Sequence, residues 1–432
     1  MNKTTVNRPG RREERQQARR LIRQILDLGR RRLAGSDTER RAHELLDNRF
    51  HKLGLDTELT PFWTNQSLYQ VLALHFGLAI VASVTALYTP WLALLMHVLA
   101  GVSYIWDSTK KRFVLRQVLP IAASQNLIAR QPVDNPRLRI VLAAHADASF
   151  TGKMFDPEFV RKTNQRVENL PAAAGLLRKG LAVATYSCFA LAVIDLWIWI
   201  AGLNLVNTIL LAAASIPAAI TFLVNYDVVR RNEVVPGAND NLSGCASLYL
   251  LAKRLDGRLP DGVEIDYVVT GAEEPGLCGA RALRRQMRHR WDPRETIFIA
   301  VDTICNGELR IIRDGEVVPL DLPGWALDVA NRAAQRTEGV ERVEEFEVPV
   351  GATDAAAFAY GGYEAFGLTA LDPDLGAPAN YHWPTDDLEH LDFDDLLVAT
   401  DFLEHLVDEI IQRRVGETLT DPQAATADDA PA

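Results

Sequence analysis

An α/β fold with a mostly parallel sheet sandwiched by helices, interrupted by two apolar hairpins, is the architecture this sequence predicts. Three observations carry it. Short β-branched runs alternate with segments of helical spacing, which implies parallel strands covered on both faces. Two long stretches hold almost no charge. The composition, 48% hydrophobic and 24% charged over 432 residues, excludes a disordered, collagenous or coiled-coil chain and leaves ample apolar surface for a core.

Taken in order, residues 1–33 form a basic segment, with ten Arg and one Lys against three acids. Residues 34–60 open the α/β domain with an amphipathic helix over 38–53. Residues 59–106 then contain no Asp, Glu, Lys or Arg, more than one helix needs to cross a hydrocarbon core about 30 Å thick. Thr89 and Pro90 divide this stretch into spans at 68–88 and 91–106, a hairpin within 61–106. A second hairpin lies within 179–228, where Gly202 to Asn204 separate spans 181–200 and 205–226, and Asp195 is the single charge between Gly180 and Tyr226. Asp195 is expected to face the bundle interior, and His75 and His97 are placed to pair across the first hairpin. Lys110, Lys111, Arg112, Arg116, Arg178, Lys179, Arg230 and Arg231 flank the hairpins on one side, which predicts an integral multi-pass protein with that side cytoplasmic.

The domain continues through 107–178 and 229–415. Buried strands are predicted at 125–129, 139–144, 264–270 and 296–301, and helices at 243–254, 279–288, 325–336 and 393–415. The last stretch, 416–432, reads as a disordered tail. Cys188, Cys245, Cys278 and Cys305 lack CxxC spacing and sit among apolar neighbours, so neither a disulfide framework nor a structural zinc knuckle is expected.

Ligands bind beyond the carboxyl ends of strands in open α/β sheets. There the sequence places His145 and Asp147 (HAD), Glu273 and Glu274 (GAEEPG) and Asp302; Asp240 precedes a helix in PGANDNLSG, and a late loop, NYHWPTDD, carries His382. Each has an ordinary reading alone: HxD as a surface turn, Asp240 as a helix N-cap, the glutamates as a solvated loop. Together they supply two imidazoles and several carboxylates, a donor set that suits zinc and is too rich in oxygen for a closed structural site. Two divalent ions about 3.5–4 Å apart need a bridging carboxylate, with an imidazole and another carboxylate on each. One further carboxylate must move a proton and another must orient an imidazole, and Glu273 and Asp147 are available for those tasks.

These motifs resemble peptidase family M28, cocatalytic zinc exopeptidases that include many aminopeptidases. RRLAGSDTERRAHELL with HKLGLDTEL, and SQNLIAR with IVLAAHADAS, resemble the family's opening segments. PGANDNLSGCASLYLLAKRL, GAEEPGLCGAR and NYHWPTDDLEHLD resemble its bridging-aspartate, Glu-Glu and final His motifs. The resemblance spans the three soluble pieces and misses the hairpins, the second of which falls between Asp147 and Asp240 where the family usually has a short loop. It implies two Zn2+ per chain, one held by His145, Asp240 and Asp302, the other by Asp240, Glu274 and His382, with Asp240 bridging. Glu273 matches the general base and Asp147 the acid behind the His ligand. GATDAAAF resembles a segment lining the substrate cleft, making Thr353, Asp354 and Phe358, together with Tyr381, substrate-side candidates.

The function expected is therefore that of a membrane-anchored dizinc aminopeptidase, in which Glu273 takes a proton from the attacking water and delivers it to the leaving amine. The alternatives are a carboxypeptidase or amidohydrolase on the same scaffold, or a glutaminyl cyclase-like transferase with a single zinc. Peptide substrate and lipid bilayer are the expected partners. Nucleic acid is not, because the arginine-rich start lacks interleaved aromatics and adjoins an apolar segment, which suits anionic headgroups better.

Overall fold

The computed structural model describes residues 10–168, 179–348 and 351–420. Eight strands form one sheet in the order β1-β2-β4-β3-β5-β8-β6-β7. They are β1 (Asp56–Thr64), β2 (Ala122–Arg130), β3 (Leu138–His145), β4 (Val263–Thr270), β5 (Thr296–Val301), β6 (Glu308–Arg313), β7 (Glu344–Glu347) and β8 (Glu364–Leu371). The central run β4-β3-β5-β8 is parallel throughout, and β6 pairs parallel with β7. Antiparallel pairings join β1 to β2, β2 to β4 and β6 to β8. The four predicted strands are β2 to β5, each extended by up to three residues at either end.

Alternation along the strands feeds two apolar layers, as side chains two residues apart share a face. Ile140, Leu142 and Ala144 pack with helices α1 (Arg11–Leu26), α2 (Asp37–His51), α8 (Gly244–Leu255), α10 (Ala326–Arg336) and α12 (Phe393–Val415). Val141 and Ala143 face the other way, against α9 (Cys278–Met287) and the short α11 (Asp354–Ala359). Local chemistry sets helix starts: Ser36 caps α2 by accepting from Glu39 N–H, and Asp392 caps α12 by accepting from Asp394 and Asp395 N–H.

The basic segment 1–33 differs from expectation in its described part. Helix α1 buries Ala18, Leu21, Ile22 and Ile25 in the main core, and buried Glu14 pairs with Arg254 at 2.7 Å. Its arginines alternate with an apolar stripe at helical spacing, and the stripe decides where the helix docks. Arg11 and Arg15 pair with Asp401 and Asp394 of α12. Of the tail, 416–420 return to the body, with Leu419 N–H donating to Asp408 and Thr420 N–H to the Arg258 carbonyl; 421–432 lie outside the described residues.

Among the described residues, four helices are long and apolar enough to cross a membrane: α3 (Leu68–Thr85), α4 (Pro90–Ser108), α6 (Gly180–Ala201) and α7 (Leu205–Arg231). They lie within a residue or two of the expected spans except at Thr85, where α3 ends three residues early, and at Arg231, where α7 runs five residues further. Between the hairpins, α5 (Pro157–Glu168) follows the site loop. Pro90 occupies the first turn of α4, where its missing N–H costs nothing. A capping box between Asn204 and Asn207 starts α7.

The four helices pack on one another and leave Val193, Trp199, Ile200, Leu205, Ile209 and Leu223 more than half exposed. Asp195 is buried inside the bundle, but its partner is His97, 2.6 Å away across the two hairpins. His75 instead meets Ser103 at 2.9 Å, so the expected His75–His97 pairing does not form; the two rings lie on different levels of the bundle. Four of the described flanking cations are paired: Lys110 with Glu316 at 2.9 Å and Arg116 with Asp107 at 2.5 Å, both buried, and Lys179 with Glu347 at 3.3 Å and Arg231 with Asp227 at 2.9 Å, both exposed. All four cysteines are buried and free.

Candidate metal centre

The parallel strands β4, β3, β5 and β8 are neighbours, so their carboxyl ends deliver the predicted groups to one place. His145 ends β3, Glu273 and Glu274 follow β4, Asp302 follows β5, and the loop after β8 brings His382. Asp240 enters from the irregular turn Ala238–Ser243 ahead of α8. Each Asp240 oxygen faces one imidazole: His145 Nε2 stands 3.0 Å from Oδ1 and His382 Nε2 3.1 Å from Oδ2. Asp302 Oδ1 lies 3.7 Å from His145 Nε2, and Glu274 Oε2 3.3 Å from His382 Nε2. His145, Asp240 and Asp302 thus form one donor group, and Asp240, Glu274 and His382 another, each with donor atoms within 4.8 Å of one another.

Glu273 also lies within that distance of His145 and Glu274. Asp147 does two things. Its backbone carbonyl, 3.1 Å from His145 Nδ1, orients the ring, with its carboxylate further off at 3.5 Å. That carboxylate accepts from the backbone N–H groups of Glu273 and Glu274 at 3.0 and 3.1 Å. Glu39 accepts from Ala272 N–H, Asn126 from Gly271 N–H, and Arg116 donates to the Pro275 carbonyl, so the Glu-Glu loop is held along its length.

Burial works against charge here, yet the cluster carries a surplus of carboxylates. Desolvation pushes the Glu273 carboxyl well above its usual range, with His145 opposing and Asp354, Asp302 and Glu274 adding to the rise. Burial likewise raises Glu274. For the imidazoles burial acts downward, but Glu274 and Asp240 lift His382 to about 10, and hydrogen bonds to Asp147, Asp240 and Asp302 raise His145 strongly. Burial would raise Asp240, and the two imidazoles hold it well below the ordinary carboxylate range instead.

The donor set fits divalent metal. Among the described residues Glu274 Oε1 is buried without a hydrogen-bond partner, and Asp240 Oδ2 faces only the His382 ring, an expensive arrangement unless a cation takes those lone pairs. Five carboxylates against two imidazoles leave excess negative charge even with both rings protonated, which two divalent cations would neutralise.

The substrate-side candidates separate. Asp354 is buried beside the cluster, with Thr270 donating to Oδ2 at 2.5 Å and Oδ1 unpartnered; burial raises its carboxyl to about 7. Thr353 is turned away into a hydrogen bond with Asp314 at 2.8 Å. Phe358 stacks on Phe298 in the core, ring centroids 3.9 Å apart, and is a packing residue. Tyr381 stacks on the His382 ring at 3.9 Å.

Sequence reasoning missed several supporting groups. Asp386 accepts from Asn239 and Asp240 N–H at 2.6 and 3.1 Å and so positions the turn that carries Asp240. It stood in the NYHWPTDD motif, four residues after His382, and was readable as a candidate. Arg32, fully buried, donates to the carbonyls of Ala146, Pro236 and Gly237, tying the His145 loop to the Asp240 loop. Tyr69 and Ser149 meet His382 Nδ1, at 2.9 and 3.2 Å; Tyr69 sits where an interfacial aromatic is expected, which masked any other role.

A sheet with helices on both faces, and an imidazole–carboxylate cluster at the ends of its parallel strands, define an α/β protein whose cluster has the donors to hold divalent metal. Comparison with known proteins narrows this. Residues 212–407 match the model of Peptidase family M28, from within α7 to within α12, a range that includes every predicted site residue except His145 and Asp147. Over that range the chain is similar to the M28 peptidases, in agreement with the resemblance that its motifs carry. No curated protein matches the sequence.

Solved structures share the fold. A zinc aminopeptidase from Bacillus subtilis superposes with a TM-score of 0.52 at 16% identity, covering 92% of this chain and 95% of that one. A glutaminyl cyclase from an Acidobacteriales bacterium gives 0.52 at 17%, covering 96% and 99%. A Zn-dependent exopeptidase from Parabacteroides distasonis gives 0.51 at 11%, covering 93% and 98%.

Proposed function

We propose that this protein is a membrane-anchored dizinc aminopeptidase. The observation that carries the reading is Asp240, whose two oxygens face one imidazole each, at 3.0 and 3.1 Å, between two donor groups. In it, His145, Asp240 and Asp302 would hold one zinc, and Asp240, Glu274 and His382 the other. When bound, the ions would supply Lewis-acid polarisation of the scissile carbonyl and a lowered pKa for water.

The chain's own residues do the rest. Glu273, in a dry position where its carboxyl titrates high, takes the proton of the attacking water and returns it to the leaving amine. Asp147 fixes the Glu273 backbone and the His145 ring. Asp354 and Asp302 offer carboxylates to a substrate α-amine. Bands of exposed Trp, Leu, Ile and Val on the four-helix bundle support insertion in a bilayer, since contiguous apolar surface of that size has no other solvent suited to it. Exposed Lys111, Arg112, Arg230 and Arg231 support a cytoplasmic site.

A glutaminyl cyclase-like activity is the second reading, favoured by the fold shared with such an enzyme. The test is zinc content, and cleavage of free and N-blocked aminoacyl amides, on detergent-purified wild type beside Glu273→Gln. Two zinc ions, cleavage restricted to free N-termini and a loss of at least 100-fold in the variant are expected. Cleavage of blocked amides would move the assignment to an amidohydrolase or carboxypeptidase. One zinc, with cyclisation of N-terminal glutamine, would move it to the cyclase.

A further inference from the structure

The first apolar hairpin touches the proposed site at two points. Tyr69, in the first turn of α3, is buried and places its hydroxyl 2.9 Å from His382 Nδ1 and 3.2 Å from Ser149 Oγ. Ser149 Oγ is itself 3.2 Å from the same nitrogen. The ring is fixed by edge contacts with Phe150 and Phe155, centroids 6.5 and 6.0 Å away, and Phe155 also meets the His382 ring edge-on at 4.6 Å. At the hairpin's far end, Asp107 of α4 holds Arg116 through two hydrogen bonds, and Arg116 donates to the Pro275 carbonyl in the Glu-Glu loop at 2.9 Å.

His382 Nε2 faces Asp240 and Glu274, so the proton belongs on Nδ1 when Nε2 offers its lone pair to a metal. Nδ1–H then donates to the Tyr69 hydroxyl, with Ser149 as the weaker acceptor. An acceptor in that position sets the tautomer, aims the ring and raises its basicity.

We propose that Tyr69 is a positioning residue of the metal site, through which the first apolar hairpin holds His382 in its ligating tautomer and orientation. The proposal rests on the reading of His382 as a zinc ligand. It makes the hairpin a working part of the site as well as an anchor: α3 governs the second histidine, and α4 with Arg116 governs the loop of Glu273 and Glu274.

The experiment uses the full chain in detergent: wild type, Tyr69→Phe, Tyr69→Phe with Ser149→Ala, and, as a bundle control, Ser215→Ala, whose hydroxyl donates to Ser83 and the Leu211 carbonyl inside the bundle. Zinc retained against a graded series of chelator is measured, with the melting temperature of the metal-free proteins and the visible spectrum after cobalt substitution. Tyr69→Phe keeps the aromatic packing and loses only the hydroxyl. It is expected to release one of the two ions at about 10- to 100-fold lower chelator strength, and the double variant lower still. Metal-free melting should be unchanged, and one cobalt site should alter its spectrum.

Retention equal to wild type would overturn the proposal, as would an equal loss in Ser215→Ala or a loss matched by a fall in metal-free melting. Wild type that retains no zinc would instead overturn the reading of the site, and the proposal with it.

Discussion

His382 occupies a backbone conformation with φ at +50°, which a non-glycine residue adopts at a cost of about 1 kcal/mol. Stacking by Tyr381 and the hydrogen bonds at Nδ1 hold it there, and the same conformation turns Nε2 toward Asp240. Asp240 depends on its neighbour in a similar way, because both carboxylate oxygens of Asp386 are used on backbone donors. Asp386→Asn would keep one acceptor and set an amide N–H₂ against the other donor. The variant should lose about 1–3 kcal/mol of stability by chemical denaturation and bind metal more weakly. Unchanged denaturation and metal retention would show that Asp386 does not shape the turn.

At the scale of elements, the Glu-Glu loop is shaped by close approach. A Cβ at Gly279 would stand 1.9 Å from the Gly271 carbonyl oxygen, so α9 begins against the loop only because glycine occupies that position. Gly279→Ala is expected to destabilise the fold by more than about 3 kcal/mol, or to displace Glu273 and Glu274 and abolish turnover.

The same loop rests on Glu39 of α2, which accepts from Gly35, Ala272 and Ser124. Burial, reinforced by Asp147 and opposed by those hydrogen bonds, pushes its carboxyl up to about 8. The folded state therefore keeps a proton that the unfolded chain gives up near 4.5. Glu39 contributes full stability below about pH 4.5, and that contribution is lost as pH rises to about 8. Glu39→Gln mimics the protonated form, and its melting temperature should fall less than wild type's between pH 5 and 8. A parallel pH dependence would show Glu39 to be ionised throughout.

Across the whole molecule, bundle and α/β domain are joined by a buried ion pair as well as by the struts to the site. Lys110, after α4, and Tyr104 in α4 both bind Glu316, in the loop after β6. Val317 of that loop packs among Leu72, Phe76 and Tyr104 of the bundle. Glu316→Gln would leave the Lys110 ammonium buried without its counter-charge, at a cost of about 3–5 kcal/mol. Replacing Lys110 with Met in the same chain should restore much of the loss in detergent melting. If the single variant melts like wild type, the two parts do not depend on this pair.

Much of this was legible from residues alone. Strand runs such as RIVLAAH and TIFIAV were readable because a strand buried on both faces must be apolar along its length, and the acids and imidazole that follow them stand out against that background. The uncharged stretches were readable because a hydrocarbon-length apolar helix is rare by chance. Strands β1 and β6 to β8 were not: Asp56–Thr64 runs into the uncharged stretch that reads as the first hairpin, Glu344–Glu347 is mostly acidic, and Glu364–Leu371 begins in a glycine-rich turn that hides its period. Helix α1 was obscured by arginines that outnumber its apolar stripe.

The sequence by itself determined the chemical inventory, two imidazoles and a surplus of carboxylates at strand ends, because residue type alone decides what can bind metal or carry a proton. Only the tertiary structure decided which partners meet: His97 with Asp195 and not His75, Lys110 and Arg116 with buried acids, and Tyr69 with His382. Those pairings join positions up to 313 residues apart, and their geometry comes from packing that no local pattern encodes.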